Sequence, residues 1–190
     1  MRSSICVTRA ITRYCRTLTK SWYKGSVQSV RLPISKSFAN RLLILQAMHG
    51  DPLLEVSCAT PDDVRILRNA LAHIEQTARE QVPLTLDLGN AGTAVRFLTA
   101  YAAFLQGRRI VLTGSERMRQ RPIAPLVTAL RKAGAQITYT EHSEAIPISI
   151  DGVPLPKNIQ PIEADGTLST QFVSALLLAG VPVKTATESP

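Results

Sequence analysis

Four short stretches of this 190-residue chain carry side chains suited to gripping an anion. In Ser35-Lys36-Ser37-Phe38-Ala39-Asn40-Arg41, Ser37 and Arg41 are four apart and share a helix face, with Lys36 at its mouth. An arginine offers a planar fork for carboxylate, and a lysine a movable point charge for phosphate. The stretch Leu88-Gly89-Asn90-Ala91-Gly92-Thr93-Ala94-Val95-Arg96 packs two glycines, an amide, a hydroxyl and an arginine into an apparent helix start. A helix beginning there aims free N–H groups and its positive dipole end at whatever sits above the glycines. The third stretch, Glu116-Arg117-Met118-Arg119-Gln120-Arg121-Pro122, holds three arginines, and the fourth is Ser169-Thr170-Gln171. Taken singly, each also has an ordinary reading: a capped helix, a Gly-rich packing turn, a solvated loop. Neither a dinucleotide fingerprint nor a Walker loop is present.

These stretches need helices and strands to hold them. Residues 84–88 read as a strand leading into the cradle helix, whose Val95, Leu98, Ala102 and Leu105 fit one face. A helix over residues 38–48, with Leu42, Leu45 and Met48 in register, stops at His49-Gly50-Asp51-Pro52. A short strand at 53–56 precedes a helix begun by Asp62 and Asp63, with Val64, Leu67, Leu71 and Ile74 at helical spacing. Then come a strand at 109–113, the basic loop, a helix at 123–133, paired strands at 135–139 and 146–150, a strand at 160–164, and a helix at 171–178. The pattern is α/β with a recurring βα-containing unit, spaced too unevenly for a short-repeat solenoid. Three helices open on hydroxyl and small residues, at Ser35-Lys36-Ser37, Gly92-Thr93 and Ser169-Thr170-Gln171. Packed side by side, they would converge on one anionic ligand, with Lys36, Arg41, Arg96 and Arg117 supplying charge.

Composition narrows the alternatives. At 45% hydrophobic and 19% charged the chain is globular, long enough for one domain or most of a larger one. Its net charge of +8 is local: residues 1–50 hold nine Lys or Arg and no acid, whereas the rest carries 13 basic against 14 acidic groups. Cys6, Cys15 and Cys58 have no metal-ligand spacing and suggest a reducing compartment; His49, His73 and His142 are scattered, so no metal is expected. The longest apolar stretch, 172–183, is broken by Ser174, Gly180 and Pro182 and falls short of the ~20 residues of a membrane span. Residues 1–24 are rich in Arg, Ser and Thr, and read either as an organellar transit peptide or, the favoured reading, as a basic extension or misplaced start. Nucleic-acid attachment through that segment is not expected, because Tyr14, Trp22 and Tyr23 are its only stacking candidates and no recognised motif accompanies them.

In combination the elements are more specific. Pro-x-Ser-Lys-Ser-x-x-Asn-Arg, then Leu-Gly-Asn-Ala-Gly-Thr-Ala-x-Arg, then Arg-Met-x-x-Arg-Pro-Ile, then Ser-Thr-Gln-Phe resembles the 5-enolpyruvylshikimate-3-phosphate synthase family, from about Gly25 onward. The resemblance implies a fold of repeated βαβαββ units, with residues 25–190 as an incomplete first domain and the second domain absent. It implies transfer of the enolpyruvyl group of phosphoenolpyruvate to the 5-hydroxyl of shikimate 3-phosphate, with release of phosphate and no cofactor. It places Lys36 as the catalytic group between the two substrates and Ser37 and Arg41 on shikimate 3-phosphate. Ser169 and Thr170 would hold the phosphate of shikimate 3-phosphate, and Gln171 would lie where the substrates meet. Asn90, Gly92, Thr93 and Arg117 would form the phosphoenolpyruvate phosphate site, with Arg96 supporting the turn from behind. Ile34, Ala39, Phe97 and Thr170 depart from the residues common in the family at those places.

The family's second domain supplies proton-transfer acids and cations for the phosphoenolpyruvate carboxylate, and no acid here falls at a matching position. The chain alone is therefore expected to be inactive, its partners being the two substrates and that second domain, in a cytoplasmic enzyme that is monomeric at full length and binds neither nucleic acid nor membrane. Two other readings stay open: a non-catalytic module holding a phosphorylated metabolite, and the UDP-N-acetylglucosamine enolpyruvyl transferase family. The latter has a different lysine motif and a reactive loop cysteine, whereas Cys58 precedes the second helix.

Overall fold

A computed structural model describes residues 35–56, 60–78, 82–141, 144–164 and 169–185, so the basic segment 1–24, Ile34, Cys58 and His142 lie outside the described residues. In chain order the elements are α1 (Lys36–His49), α2 (Asp62–Gln76), β1 (Leu84–Asp87), α3 (Gly92–Ala103), β2 (Arg109–Thr113), α4 (Glu116–Arg119), α5 (Ala124–Lys132), β3 (Gln136–Tyr139), β4 (Ile148–Asp151), β5 (Ile162–Ala164), α6 (Thr170–Leu178) and β6 (Val183–Thr185). One sheet runs β1-β2-β4-β3, with β1 parallel to β2 and β4 antiparallel to both β2 and β3. A second pairs β5 with β6 in parallel. Both parallel pairs are joined through a helix, α3 in the first and α6 in the second, as parallel pairing requires.

Helix α3 is the centre of the fold. Nine of its twelve residues are buried, and it packs against α1, α2, α5, α6 and the larger sheet. The sheet meets the helices with Leu84, Leu86, Ile110, Leu112, Ile137, Ile148 and Ile150, all buried, while β1 alternates buried and exposed positions as a one-sided strand does. Helix α2 buries Val64, Leu67, Leu71 and Ile74, the residues that its spacing selects. Among the described residues no helix is long and apolar enough to cross a membrane.

Three expectations fail for identifiable reasons. Helix α1 buries Ala39, Leu43 and Ile44 and leaves Leu45 and Met48 42% and 46% exposed, so its inward face is not the Leu42, Leu45, Met48 stripe. Its apolar residues are spread around the helix and its buried face includes Asn40 and Gln46, which leaves periodicity without a direction. Residues 53–56 form no strand. The Gln46 side chain holds the chain at this point instead, its Nε2 donating to Pro52 O at 2.9 Å and its Oε1 accepting from Leu54 N at 3.0 Å. The basic loop contains the one-turn helix α4, begun by Ser115, whose Oγ accepts from Met118 N at 3.3 Å. β6, too short to show alternation, had no counterpart in the sequence reading.

Candidate anion-binding site

The start of α3 is built by two turns locked together. After β1, Asp87 Oδ1 accepts from Gly89 N at 2.9 Å, and Gly89 takes a left-handed φ of 50° that costs glycine no steric penalty. Its carbonyl accepts from Ser115 N at 3.1 Å across the turn that follows β2. There a Cβ on Gly114 would lie 2.7 Å from Gly89 O, so the close approach excludes any side chain. Asn90 joins the same lock, its Oδ1 accepting from Ser115 Oγ at 2.5 Å. Ala91, at the N-cap of α3, offers no side-chain acceptor, and the first turn holds no acid.

Two guanidinium groups meet over this helix start. A Cβ built on Gly92 would lie 3.0 Å from Arg121 Nη1 and 3.5 Å from Arg96 Nη1. Among the described residues neither arginine has a carboxylate partner. Burial first, and the like charge of Arg121 second, hold Arg96 below its ordinary pKa. A positive dipole end beneath two neighbouring cations is a poor arrangement for the protein alone and a good one for an anion.

The loop arginine at this point is Arg121, not Arg117. Helix α4 ends at Arg119, and the chain then turns through Gln120 to Pro122 and carries Arg121 back over Gly92. Arg117 is exposed and makes no ion pair among the described residues, while Arg119 is engaged by Glu141 at 2.8 Å. Charge composition identified the loop, but only the turn after α4 selects which of the three side chains faces inward.

The other helix starts are tied to the same end of the molecule. Gln171, in the first turn of α6, accepts a hydrogen bond at Oε1 from Arg96 Nη1, and the Arg96 guanidinium lies 5.1 Å from the centroid of the Phe172 ring. Ser169 and Thr170 are exposed at the opening of α6, and Ser169 does not cap the helix with its side chain. From α1, Arg41 Nη1 donates to Ser37 Oγ at 2.5 Å and Ser37 O at 3.0 Å, while Nη2 donates to Ser174 Oγ at 2.8 Å. Ser174 Oγ in turn donates to Thr170 O at 2.8 Å. Phe97, buried on α3, supports the Arg41 guanidinium 5.7 Å above its ring centroid. Lys36 Nζ pairs with Asp63 Oδ2 at 2.7 Å, linking the start of α1 to that of α2. The starts of α1, α3 and α6 thus meet through their side chains at one end of the molecule. Thr93, half-buried beside Gly92, completes the cradle. Asp63, Ser115, Arg121 and Ser174 were not foreseen as members; Asp63 had been read only as a helix-start acid, and nothing in the spacing indicated that it would face α1.

The family model described as EPSP synthase (3-phosphoshikimate 1-carboxyvinyltransferase) matches residues 24–188. The 3-phosphoshikimate 1-carboxyvinyltransferase of Photobacterium profundum is 39% identical over 175 residues, covering 83% of this chain and 40% of the relative. That of Escherichia coli O17:K52:H18 (strain UMN026 / ExPEC) is 41% identical over 169 residues, covering 79% and 38%. The solved EPSP synthase from Acinetobacter baumannii aligns with a TM-score of 0.55 at 23% identity, over 84% of this chain and 40% of that one. The chain therefore spans about 40% of the length of the relatives it matches.

Proposed function

The chain belongs to the EPSP synthase family, and from that premise we propose that residues 25–190 form the part of an enolpyruvyl transferase that holds shikimate 3-phosphate and the phosphate of phosphoenolpyruvate. In the complete reaction the enolpyruvyl group moves to the 5-hydroxyl of shikimate 3-phosphate and phosphate leaves. Lys36 bridges the two substrates, Ser37 and Arg41 hold shikimate 3-phosphate, and Ser169 and Thr170 bind its phosphate at the open start of α6. Gln171 lies at the junction, and Asn90, Gly92 and Thr93 cradle the departing phosphate. Arg121 takes the part that the sequence reading gave to Arg117. The cytoplasm is the compartment that goes with this reading.

The observation that carries the reading is the pair of uncompensated guanidiniums at Gly92, joined through Arg96 and Gln171 to the start of α6. The two subsites are thereby adjacent, as transfer between two phosphorylated substrates requires. Asp63, brought to this end by α2, is ion-paired with Lys36, and the acids that the resemblance assigns to proton transfer belong to the family's second domain, so the chain alone is expected to bind without turnover. Calorimetric titration with shikimate 3-phosphate tests the reading: the wild-type chain binds, and Lys36→Ala and Arg41→Ala each weaken binding at least tenfold, the scale of a lost charge-assisted hydrogen bond. Absence of wild-type binding overturns it, and phosphate release by the purified chain from both substrates overturns the expectation of inactivity.

A further inference from the structure

Arg96 stands at the anion site but is already committed elsewhere. Its Nη1 donates to Gln171 Oε1, and its plane rests on the ring of Phe172, the next residue of α6. The Arg96 nitrogen nearest Gly92, Nη1, is the one that donates to Gln171, whereas the Arg121 side chain makes neither contact among the described residues.

The contact also fixes a polarity. A guanidinium carries only donors, so the atom of Gln171 that faces it has to be the amide oxygen. This removes the ambiguity that normally attends an amide's orientation. The Nε2 hydrogens then point away from Arg96, with no partner among the described residues. Gln171 is thereby set as a donor toward an oxygen-rich ligand. Freed from Arg96, the amide could turn its oxygen toward the ligand and repel it.

We propose that Arg96 is a positioning residue, which locks the Gln171 amide with its NH2 toward the phosphorylated ligand and does not itself bind the anion. The inference rests on the substrate reading above for the ligand's identity and on the Arg96–Gln171–Phe172 geometry for the rest.

A double-mutant cycle read by calorimetry with shikimate 3-phosphate tests it. Arg96→Met and Gln171→Ala should each weaken binding about tenfold, and the double variant should be no weaker than Gln171→Ala alone. If Arg96→Met costs the same factor in both backgrounds, Arg96 touches the anion and the proposal fails. Arg96→Lys keeps the charge but loses the stacked fork, so it should match Arg96→Met; recovery of wild-type affinity would also overturn the idea. A ligand-independent readout is the 15N side-chain amide resonance of Gln171. It should be shifted in wild type, because the amide oxygen accepts from a guanidinium, and should move to the free-amide position in Arg96→Met; an unchanged resonance sinks the proposal. Should wild type bind no shikimate 3-phosphate, the substrate reading fails, and the resonance alone decides the role of Arg96.

Discussion

The two ends of the helix layer obey opposite rules. At the C-terminal ends of α1, α2 and α3, the chain satisfies itself: Gly50 takes a left-handed φ of 70° and returns its N–H to Gln46 O, and Arg108 donates to Thr77 O and, at 2.9 Å, to Thr77 Oγ1. A concavity of about 360 Å³ there is lined in part by Asp51, Leu71, Glu75, Tyr101 and Arg108. A cation on the last carbonyls of a helix is the stabilising sign. At the N-terminal ends of α1, α3 and α6, no first turn holds an acid and no side chain caps; Arg96 and Arg121 meet over the start of α3, while Lys36 is paired with Asp63 from the start of α2. That sign is wrong for the helices and right for an anion. The start of α3 departs from the local rule that the start of α2, with Asp62 and Asp63, obeys, which makes it the place to test for anion binding.

Arg121→Ala gives the largest expected effect and tests the contrast directly. Affinity for inorganic phosphate and shikimate 3-phosphate should fall tenfold or more, in keeping with about 1.5–3 kcal/mol for a hydrogen bond to a charged group. The melting temperature should hold or rise, because a like charge beside Arg96 is removed. Arg117→Ala should leave affinity within about twofold, since Arg117 is exposed and makes no ion pair among the described residues. A lowered melting temperature with unchanged binding would make Arg121 a structural residue and dissolve the distinction between the two ends.

Gly50→Ala is the converse at the other end. A Cβ in the left-handed region costs about 1–2 kcal/mol, which lowers the melting temperature by several degrees in a protein of this size. Phosphate affinity should not change, and thermal unfolding with a parallel titration reads both. Coupled loss of stability and binding would mean that the ends are not independent. Gly92→Ala is smaller. The added Cβ crowds the flexible tip of Arg121 at 3.0 Å and makes ordinary contact with Arg96 Nη1 and Met118, so stability should stay near neutral while phosphate affinity falls a few-fold as the Arg121 tip is displaced.

The same contrast governs what could be read from sequence. Helix starts were legible because hydroxyl and small residues cluster there, at Ser37, Gly92, Thr93 and Ser169, and local spacing displays them. The strand Arg109–Thr113 and the inward face of α2 were legible because their apolar periods have one solution. Helix α1 was not, since Leu42, Leu45 and Met48 make as good a stripe as Ala39, Leu43 and Ile44, and only packing chooses between them. Residues 53–56 have strand composition, but the Gln46 amide holds the chain there through Pro52 and Leu54. That Arg121 and not Arg117 lies over Gly92 is of the same kind, because a one-turn helix followed by a proline turn places each side chain and leaves no periodic trace.

Tyr101 offers the smallest and most selective test. It lines the concavity at the structural end, and burial first, then the carboxylate of Glu75, hold its phenol above the usual value of 10. A phenol whose folded pKa is raised contributes stability that is fully present below the unfolded pKa, near 10, and is lost as pH rises through the higher folded value. Urea midpoints of wild type and Tyr101→Phe should therefore run parallel to about pH 10, above which wild type should decline more steeply. Tyr139 is raised as well, chiefly by burial, but it is present in both proteins and cancels in the difference. Because Tyr101 sits at the end where the helices close on their own side chains, its removal should leave phosphate affinity at pH 8 untouched. Parallel curves through pH 12 would show that ionising the phenol costs the fold nothing, and that this end is as open to solvent as the end where the arginines gather.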